Sequence, residues 1–289
     1  MICTLCPRQC GALRTENAGN GFCAMPETPV VARAMLHQWE EPCISGTQGS
    51  GAVFFSGCVL GCVFCQNGRI SRERFGKPVT AARLRAIFDE LIAQGAHNIN
   101  LVSPTPFVSA ILEALAEPLP VPVVWNTGGY ERVETLRALE GKVQIWLPDL
   151  KYADNALAKR YSGAGDYFET AAAAIREMHR QSGDYVLENG LLRRGVVIRH
   201  LLLPGGLNNA KGVMDWVADT FRPGQVLFSL MSQYTPQPGA EGLLARRVTA
   251  GEYRAALHYM ENLGITDGYR QDSSSAREEY TPEFDLSGI

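Results

Sequence analysis

From Gly51 onward, short apolar runs alternate with amphipathic ones. Residues 51–56 (GAVFFS) read as a first strand, and further strands are expected at 98–102, 121–125, 143–147, 196–203 and 226–230. Between the first two, Leu84, Ile87, Phe88, Leu91 and Ile92 fall at i, i+3, i+4, i+7 and i+8, which makes 80–94 one helix with an apolar face. The same reasoning predicts helices at 107–116, 131–139, between about 154 and 182, near 208–221, and at 249–263. For the last, Thr249 and Glu252 supply a capping box, Tyr253, Ala256, Leu257 and Met260 an inner face, and Gly264 a stop.

Six strands alternating with helices predict a parallel α/β fold, and strands this apolar suit burial on both faces. Polar residues recur where successive strands end: Ser103 and Thr105, Asn126 and Thr127, Asp149 and Lys151, Arg199 and His200, Gln233 and Tyr234. One polar pair is ordinary turn chemistry. Five in succession favour a partial (β/α)6 barrel, whose strand ends converge on one site, over an open doubly wound sheet. Residues 1–50 break the alternation and are expected to form a small Cys-rich extension. Residues 51–263 make the core. Residues 264–289 form an irregular tail laid on it, with Tyr269, Gln271 and Asp272 over the barrel mouth.

The 289 residues are 46% hydrophobic and 20% charged, with net charge −3, which excludes a disordered, collagenous or coiled-coil chain. No charge footprint for nucleic acid or anionic lipid is present. No run approaches the ~18 apolar residues of a membrane span. The opening residues lack a basic and then apolar leader pattern, so a cytoplasmic protein is expected.

Cysteine placement changes the picture. Eight occur, at 3, 6, 10, 23, 43, 58, 62 and 65, and none thereafter. Such crowding points to metal rather than to a disulfide framework. Cys58, Cys62 and Cys65 follow the first strand and can wrap one compact centre. A structural zinc site wants four ligands, whereas three thiolates on a [4Fe–4S] cluster leave one iron open. Cys3, Cys6, Cys10 and Cys23 complete a four-thiolate shell for Zn²⁺ or a second iron–sulfur cluster. Cys43 reads as a buried structural thiol near the first strand. On residues alone, an electron carrier or cluster-delivery protein competes with a catalyst, and so does a zinc-stabilised hydrolase with Asp149 as base.

The Cys-x3-Cys-x-aromatic-Cys loop, with Phe64 as the aromatic, resembles the signature of the radical S-adenosylmethionine (SAM) superfamily. Residues 37–71 and the segments NLVSPTPF, WNTGGY, LPDLKY and VIRHLLLPGG resemble iron–sulfur proteins related to pyruvate formate-lyase-activating enzyme. The resemblance implies that Cys58, Cys62 and Cys65 hold a [4Fe–4S] cluster with Phe64 beside it. SAM would chelate the open iron, be cleaved reductively to methionine and a 5′-deoxyadenosyl radical, and so abstract hydrogen from a substrate. It further implies cofactor contacts from several strand ends. Ser103, Pro104 and Thr105 stand where the superfamily usually has Gly-Gly-Glu for the SAM amino group; lacking that Glu, backbone carbonyls and Thr105 would serve. Asn126 and Thr127 match supports of the methionyl or ribose groups, and Asp149 and Lys151 match polar contacts near cofactor and substrate. Arg199 matches a residue meeting the SAM carboxylate, for which a guanidinium fork is suited; His200 and Tyr234 face the same mouth. Implied partners are an electron donor such as flavodoxin or ferredoxin, and a small-molecule or peptide substrate, including a glycyl residue of a partner enzyme. Residues 66–97 leave no room for the cysteine-bearing insert of many glycyl-radical activases, so the substrate stays open.

Overall fold

The computed structural model describes residues 2–271 and 282–289. In chain order the elements are β1 (Val30–His37), α1 (Pro42–Ser45), β2 (Ser50–Phe55), α2 (Gly68–Ser71), β3 (Lys77–Pro78), α3 (Ala81–Ala93), β4 (Ile99–Val102), α4 (Val108–Ala114), β5 (Val123–Thr127) and α5 (Val133–Ala138). They continue with β6 (Ile145–Pro148), α6 (Asn155–Ser162), α7 (Tyr167–Ser182), β7 (Val186–Glu188), β8 (Leu191–Leu201), α8 (Leu207–Thr220), β9 (Leu227–Met231), α9 (Ala250–Asn262) and β10 (Gly268–Arg270).

The six expected strands are β2, β4, β5, β6, β8 and β9, each parallel to the next, and β10 adds a short seventh parallel strand beyond β9. At the other edge β1 runs antiparallel to β2, and β3 antiparallel to β1, so the sheet path ends at β3 and β10. The fold is therefore a partial (β/α)6 barrel. Helices return the chain from the end of one strand to the start of its parallel neighbour, the connection that parallel pairing requires.

Side-chain alternation explains how one strand serves two layers. On β5, Val123 and Trp125 join the cluster that holds Ile87, Ile111, Leu136 and Ile175 of the surrounding helices. Val124, with Ile145, Leu147, Val197 and Leu227, packs on Cys43 and Ile44 of α1. The four-residue α1 thus fills the barrel interior below the strand ends. One pleat further along, the interior positions are Asn126, Asp149 and Arg199, and Asp149 bridges Arg199 in parallel register.

Three features differ from the sequence expectation and one, the 154–182 stretch, refines it. Val30–His37 lies within the expected extension yet pairs along β2 from Ser50 to Phe55. The stretch 154–182 is two helices, because Gly163 closes α6 in the left-handed conformation (φ 59°) before α7 begins. Strand β8 starts at Leu191 as the second arm of a hairpin turned by Asn189-Gly190, both at positive φ. Residues 268–270 are a sheet strand rather than irregular tail. Among the described residues, no helix is long and apolar enough to cross a membrane.

Candidate active site

The loop carrying the three clustered cysteines leaves β2 through Gly57 and turns again at Gly61, both at positive φ, where glycine is the favoured residue. The amide of Gly57 donates to the Ile70 carbonyl (2.8 Å), and that of Val63 to the Tyr161 carbonyl (2.9 Å). Arg72 donates to the Cys62 and Val63 carbonyls (3.1 and 3.0 Å). Arg8, between two amino-terminal cysteines, is a third tie. Its Nε donates to the Val59 carbonyl (2.9 Å), its Nη2 to the Ser162 carbonyl (2.7 Å) and its Nη1 to the Gly163 carbonyl. Phe64 is buried, with edge contacts to Tyr152, Tyr161 and Tyr234.

Cys58, Cys62 and Cys65 all line one cleft at the carboxyl ends of the strands. Burial pushes the Cys62 thiol up to about 12, against the opposing pull of Lys151, and burial likewise raises Cys58. Donors are nonetheless aimed at these sulfurs: the Leu60 amide at Cys58 Sγ (3.4 Å) and the Ser162 hydroxyl at Cys62 Sγ (2.9 Å). Thiols that are costly to ionise in isolation, yet surrounded by donors and a lysine charge, fit a cationic metal centre that binds them as thiolates. The donor set therefore fits the cluster that the sequence implies. Among the described residues, no three His, Cys, Asp or Glu side chains converge tightly enough for a single metal ion, either here or at Cys3, Cys6, Cys10 and Cys23.

Above the apolar plug, one polar layer crosses the mouth. Arg199 donates from Nε to Asp149 Oδ1 (2.9 Å), from Nη1 to Glu40 Oε2 (2.9 Å) and from Nη2 to Asn126 Oδ1 (2.7 Å). Glu40 Oε1 also accepts from Asn100 and Asn126 (3.1 Å each). Lys151 pairs with the other oxygen of Asp149. Burial would raise Asp149, but the charges of Arg199 and Lys151 outweigh it and hold the carboxyl below its ordinary range. Burial would lower Lys151, but Asp149 and Cys62 push it up to about 12.

Of the expected site residues, Phe64, Ser103, Asn126, Thr127, Asp149, Lys151, Arg199, Gln233 and Tyr234 line the cleft with the three cysteines. Pro104 and Thr105 do not. Ser103 takes a positive φ and Thr105–Phe107 forms a 3₁₀ turn, which carries the Thr105 hydroxyl behind the mouth. There it donates to Glu131 Oε1 (2.6 Å), which also accepts from the Thr127 hydroxyl and the Trp125 indole. Burial raises Glu131, with those three donors opposing. His200 faces away from Arg199's side of β8: it is fully buried, its Nδ1 meets the Leu150 carbonyl (2.7 Å), and burial lowers it to about 4. Cys43 sits in the apolar plug rather than at the cleft. Tyr269 lies on β10, while the Gln271 side chain donates to Gln233 Oε1 at the mouth (3.0 Å) and accepts from the Ser232 amide (3.1 Å). Asp272 lies outside the described residues.

Sequence reasoning missed Glu40, which enters the mouth from the β1–α1 link, and Ser162, which reaches Cys62 from the end of α6. The repeated Glu40-Glu41 pair shortly before a strand was the only local signal for the first; none existed for the second.

A family model described as the Radical SAM superfamily matches residues 52–205. An uncharacterized protein of Methanocaldococcus jannaschii is 29% identical over 277 residues, covering 91% of this chain and 75% of that one. A radical SAM methyltransferase from Sphaerobacter thermophilus superposes with TM-score 0.53 at 18% identity, over 77% of this chain and 66% of that one. Streptococcus suis SuiB gives TM-score 0.53 at 11% identity, over 75% and 47%. The chain thus spans somewhat under two thirds and about half of these two solved structures, and the likeness is one of fold. The matched span holds the three clustered cysteines and every polar strand end from Ser103 to His200, and it exceeds half the sequence: this chain belongs to the radical SAM superfamily.

Proposed function

We propose that this protein reductively cleaves SAM in the cleft between its cysteine loop and its polar layer, and directs the resulting radical to a substrate bound at the same mouth. The observation that carries the reading is that Cys58, Cys62 and Cys65 share one cleft with Asn126, Asp149, Lys151 and Arg199. Superfamily membership implies a [4Fe–4S] cluster and SAM, and the chemistry supplied there is one-electron cleavage to methionine and a 5′-deoxyadenosyl radical. The chain's own residues do the rest by position. Cys58, Cys62 and Cys65 are the iron ligands. Arg199 spends three of its five N–H groups on the layer and offers the others to the SAM carboxylate. Glu40 takes the acidic part that the 103–105 segment lacks, accepting from the SAM amino group or ribose. Asn126 and Thr127 shape the methionyl side, Lys151 keeps positive charge beside the sulfurs, and Phe64 with its tyrosine neighbours excludes water. Ser103 contributes through its backbone.

The substrate is a small molecule or a peptide, a partner's glycyl residue included, and reduction comes from a flavodoxin or ferredoxin. Cys3, Cys6, Cys10 and Cys23 are proposed as a second centre, of zinc or iron–sulfur. That proposal rests on the four-thiolate count and spacing in the sequence.

The test is release of 5′-deoxyadenosine from SAM by anaerobically reconstituted, dithionite-reduced protein beside a Cys58→Ala control. Release by wild type and none by the variant is expected. No release by wild-type protein carrying four irons at the triad overturns the proposal in favour of electron transfer.

A further inference from the structure

Cys62 receives a hydrogen-bond chain that is buried along its whole length. The Ser162 hydroxyl donates to Cys62 Sγ at 2.9 Å, and the Tyr152 and Ser162 hydroxyl oxygens lie 2.7 Å apart. Ser162 has one hydroxyl hydrogen, so when it is given to a thiolate at Cys62 the phenol is the donor to Ser162 Oγ. Both are out of solvent, Tyr152 at 0% exposure and Ser162 at 3%. Neither can easily swing away. Tyr152 is held edge-on by Phe64 and Tyr167, with ring centroids 6.4 and 5.1 Å apart. Ser162 ends α6 just before the left-handed Gly163, and Arg8 grips the carbonyls of both.

We infer that Ser162 and Tyr152 are positioning residues that set the reduction potential of the centre held by the triad, by donating to the sulfur of Cys62. The inference rests on the triad binding an iron–sulfur cluster. Ligation leaves a thiolate sulfur with lone pairs, so the Ser162 hydroxyl keeps its acceptor. Adding an electron increases the negative charge spread over the ligand sulfurs. A donor fixed on one of them therefore stabilises the reduced form more than the oxidised form and raises the potential. The phenol behind Ser162 polarises that hydroxyl and strengthens the effect in a water-poor setting. Cys58 is served instead by a backbone amide at the longer distance of 3.4 Å, which no side-chain substitution removes.

The experiment is an EPR-monitored redox titration of the full chain, anaerobically reconstituted and without SAM, with iron counted on every sample. Wild type is compared with Ser162→Ala, Ser162→Thr and Tyr152→Phe. Ser162→Ala is expected to lower the reduced-to-oxidised ratio at a fixed applied potential by up to about tenfold, the weight of one hydrogen bond, which for a one-electron couple is about 59 mV downward. Tyr152→Phe shifts it the same way by less, and Ser162→Thr, which retains a hydroxyl, returns toward wild type. Wild-type potentials in both Ser162→Ala and Tyr152→Phe at full iron content overturn the inference, as does a Thr variant that shifts as far as Ala. Should Ser162→Ala not load iron, Tyr152→Phe decides alone. A wild-type protein without any reducible four-iron signal instead removes the cluster reading itself, an outcome visible before any variant is compared.

Discussion

Arg199→Ala is the most informative perturbation of the polar layer. The guanidinium is 13% exposed and is shared by Asp149 and Glu40 at 2.9 Å each, with Glu41 at 4.0 Å. Removing one partner from a buried ion pair costs about 3–5 kcal/mol, because the remaining charge is stranded away from water. Here Lys151 still neutralises Asp149, and Asn100 and Asn126 still donate to Glu40, so the lower end, about 3 kcal/mol at pH 7, is expected. For a chain of this size that is a fall in Tm of about 6 °C. The loss depends on pH with a definite sign. Asp149 has a folded-state pKa below its unfolded value, so its stabilisation is present above the ordinary carboxylate range and is lost as pH falls. Glu41 is raised by burial, with Arg199 opposing, so removing the arginine makes its ionised form costlier still. Both effects place the deficit of the variant at neutral pH; it shrinks only in stronger acid, towards about pH 2, as the pH falls below the ordinary carboxylate range and through the depressed folded-state pKa of Asp149. Urea and thermal unfolding of both proteins, followed by circular dichroism at the two pH values, measure this. A deficit below about 1 kcal/mol at pH 7, or one equally large in acid, refutes the claim that Arg199 neutralises the mouth acids.

Two further outcomes can be checked on the same material. Glu131→Gln keeps an acceptor for Thr105 and Thr127 and removes a carboxyl whose folded pKa lies above its unfolded one. Wild type therefore loses stability as pH rises from the ordinary glutamate value, and the variant should gain on it between pH 4 and 8; parallel stability curves would contradict the burial of that charge. Arg8→Ala removes three donors from carbonyls of the cysteine loop and the α6 end, worth about 1–3 kcal/mol locally. Amide hydrogen exchange should then quicken across residues 57–65 while the α7 and β8 amides keep their protection; unchanged loop exchange would show that the arginine is idle there.

What the sequence made legible follows the range over which each signal acts. Strands buried on both faces announce themselves as apolar runs, and β2, β4, β5, β6, β8 and β9 were all located that way. The Thr249–Glu252 capping box was readable because both partners lie within one turn. Strand β1 was hidden because VVARAMLH lies in Cys-, Gly- and Pro-rich surroundings and owes its place to pairing with β2. Thr105 was placed at the mouth by counting from the strand end, but the turn at Ser103 sent its hydroxyl to Glu131. The cysteine loop and Asn126, Asp149, Lys151 and Arg199 were legible as strand-end chemistry. Glu40 was not, since only the folded β1–α1 link carries it into the layer. The contact between Ser162 and Cys62 joins positions 100 residues apart and has no local signature.

The grip of Arg8 also has a bearing on the order in which the protein can be finished in the cell. Arg8 leaves the ribosome well ahead of two of its acceptors, which lie 154 and 155 residues later. At roughly 5–20 residues per second, about 8–30 s of synthesis separate the two halves of that contact. Once Cys65 has been made, the cysteine loop exists for the rest of this interval without the carbonyls that Arg8 will bridge to it and without the hydroxyl that will cover Cys62. The nascent chain thus passes through a stage in which all eight thiols are made and the cysteine loop is still untethered. In that open stage, rather than in the finished barrel, Cys58, Cys62 and Cys65 are most open to their surroundings.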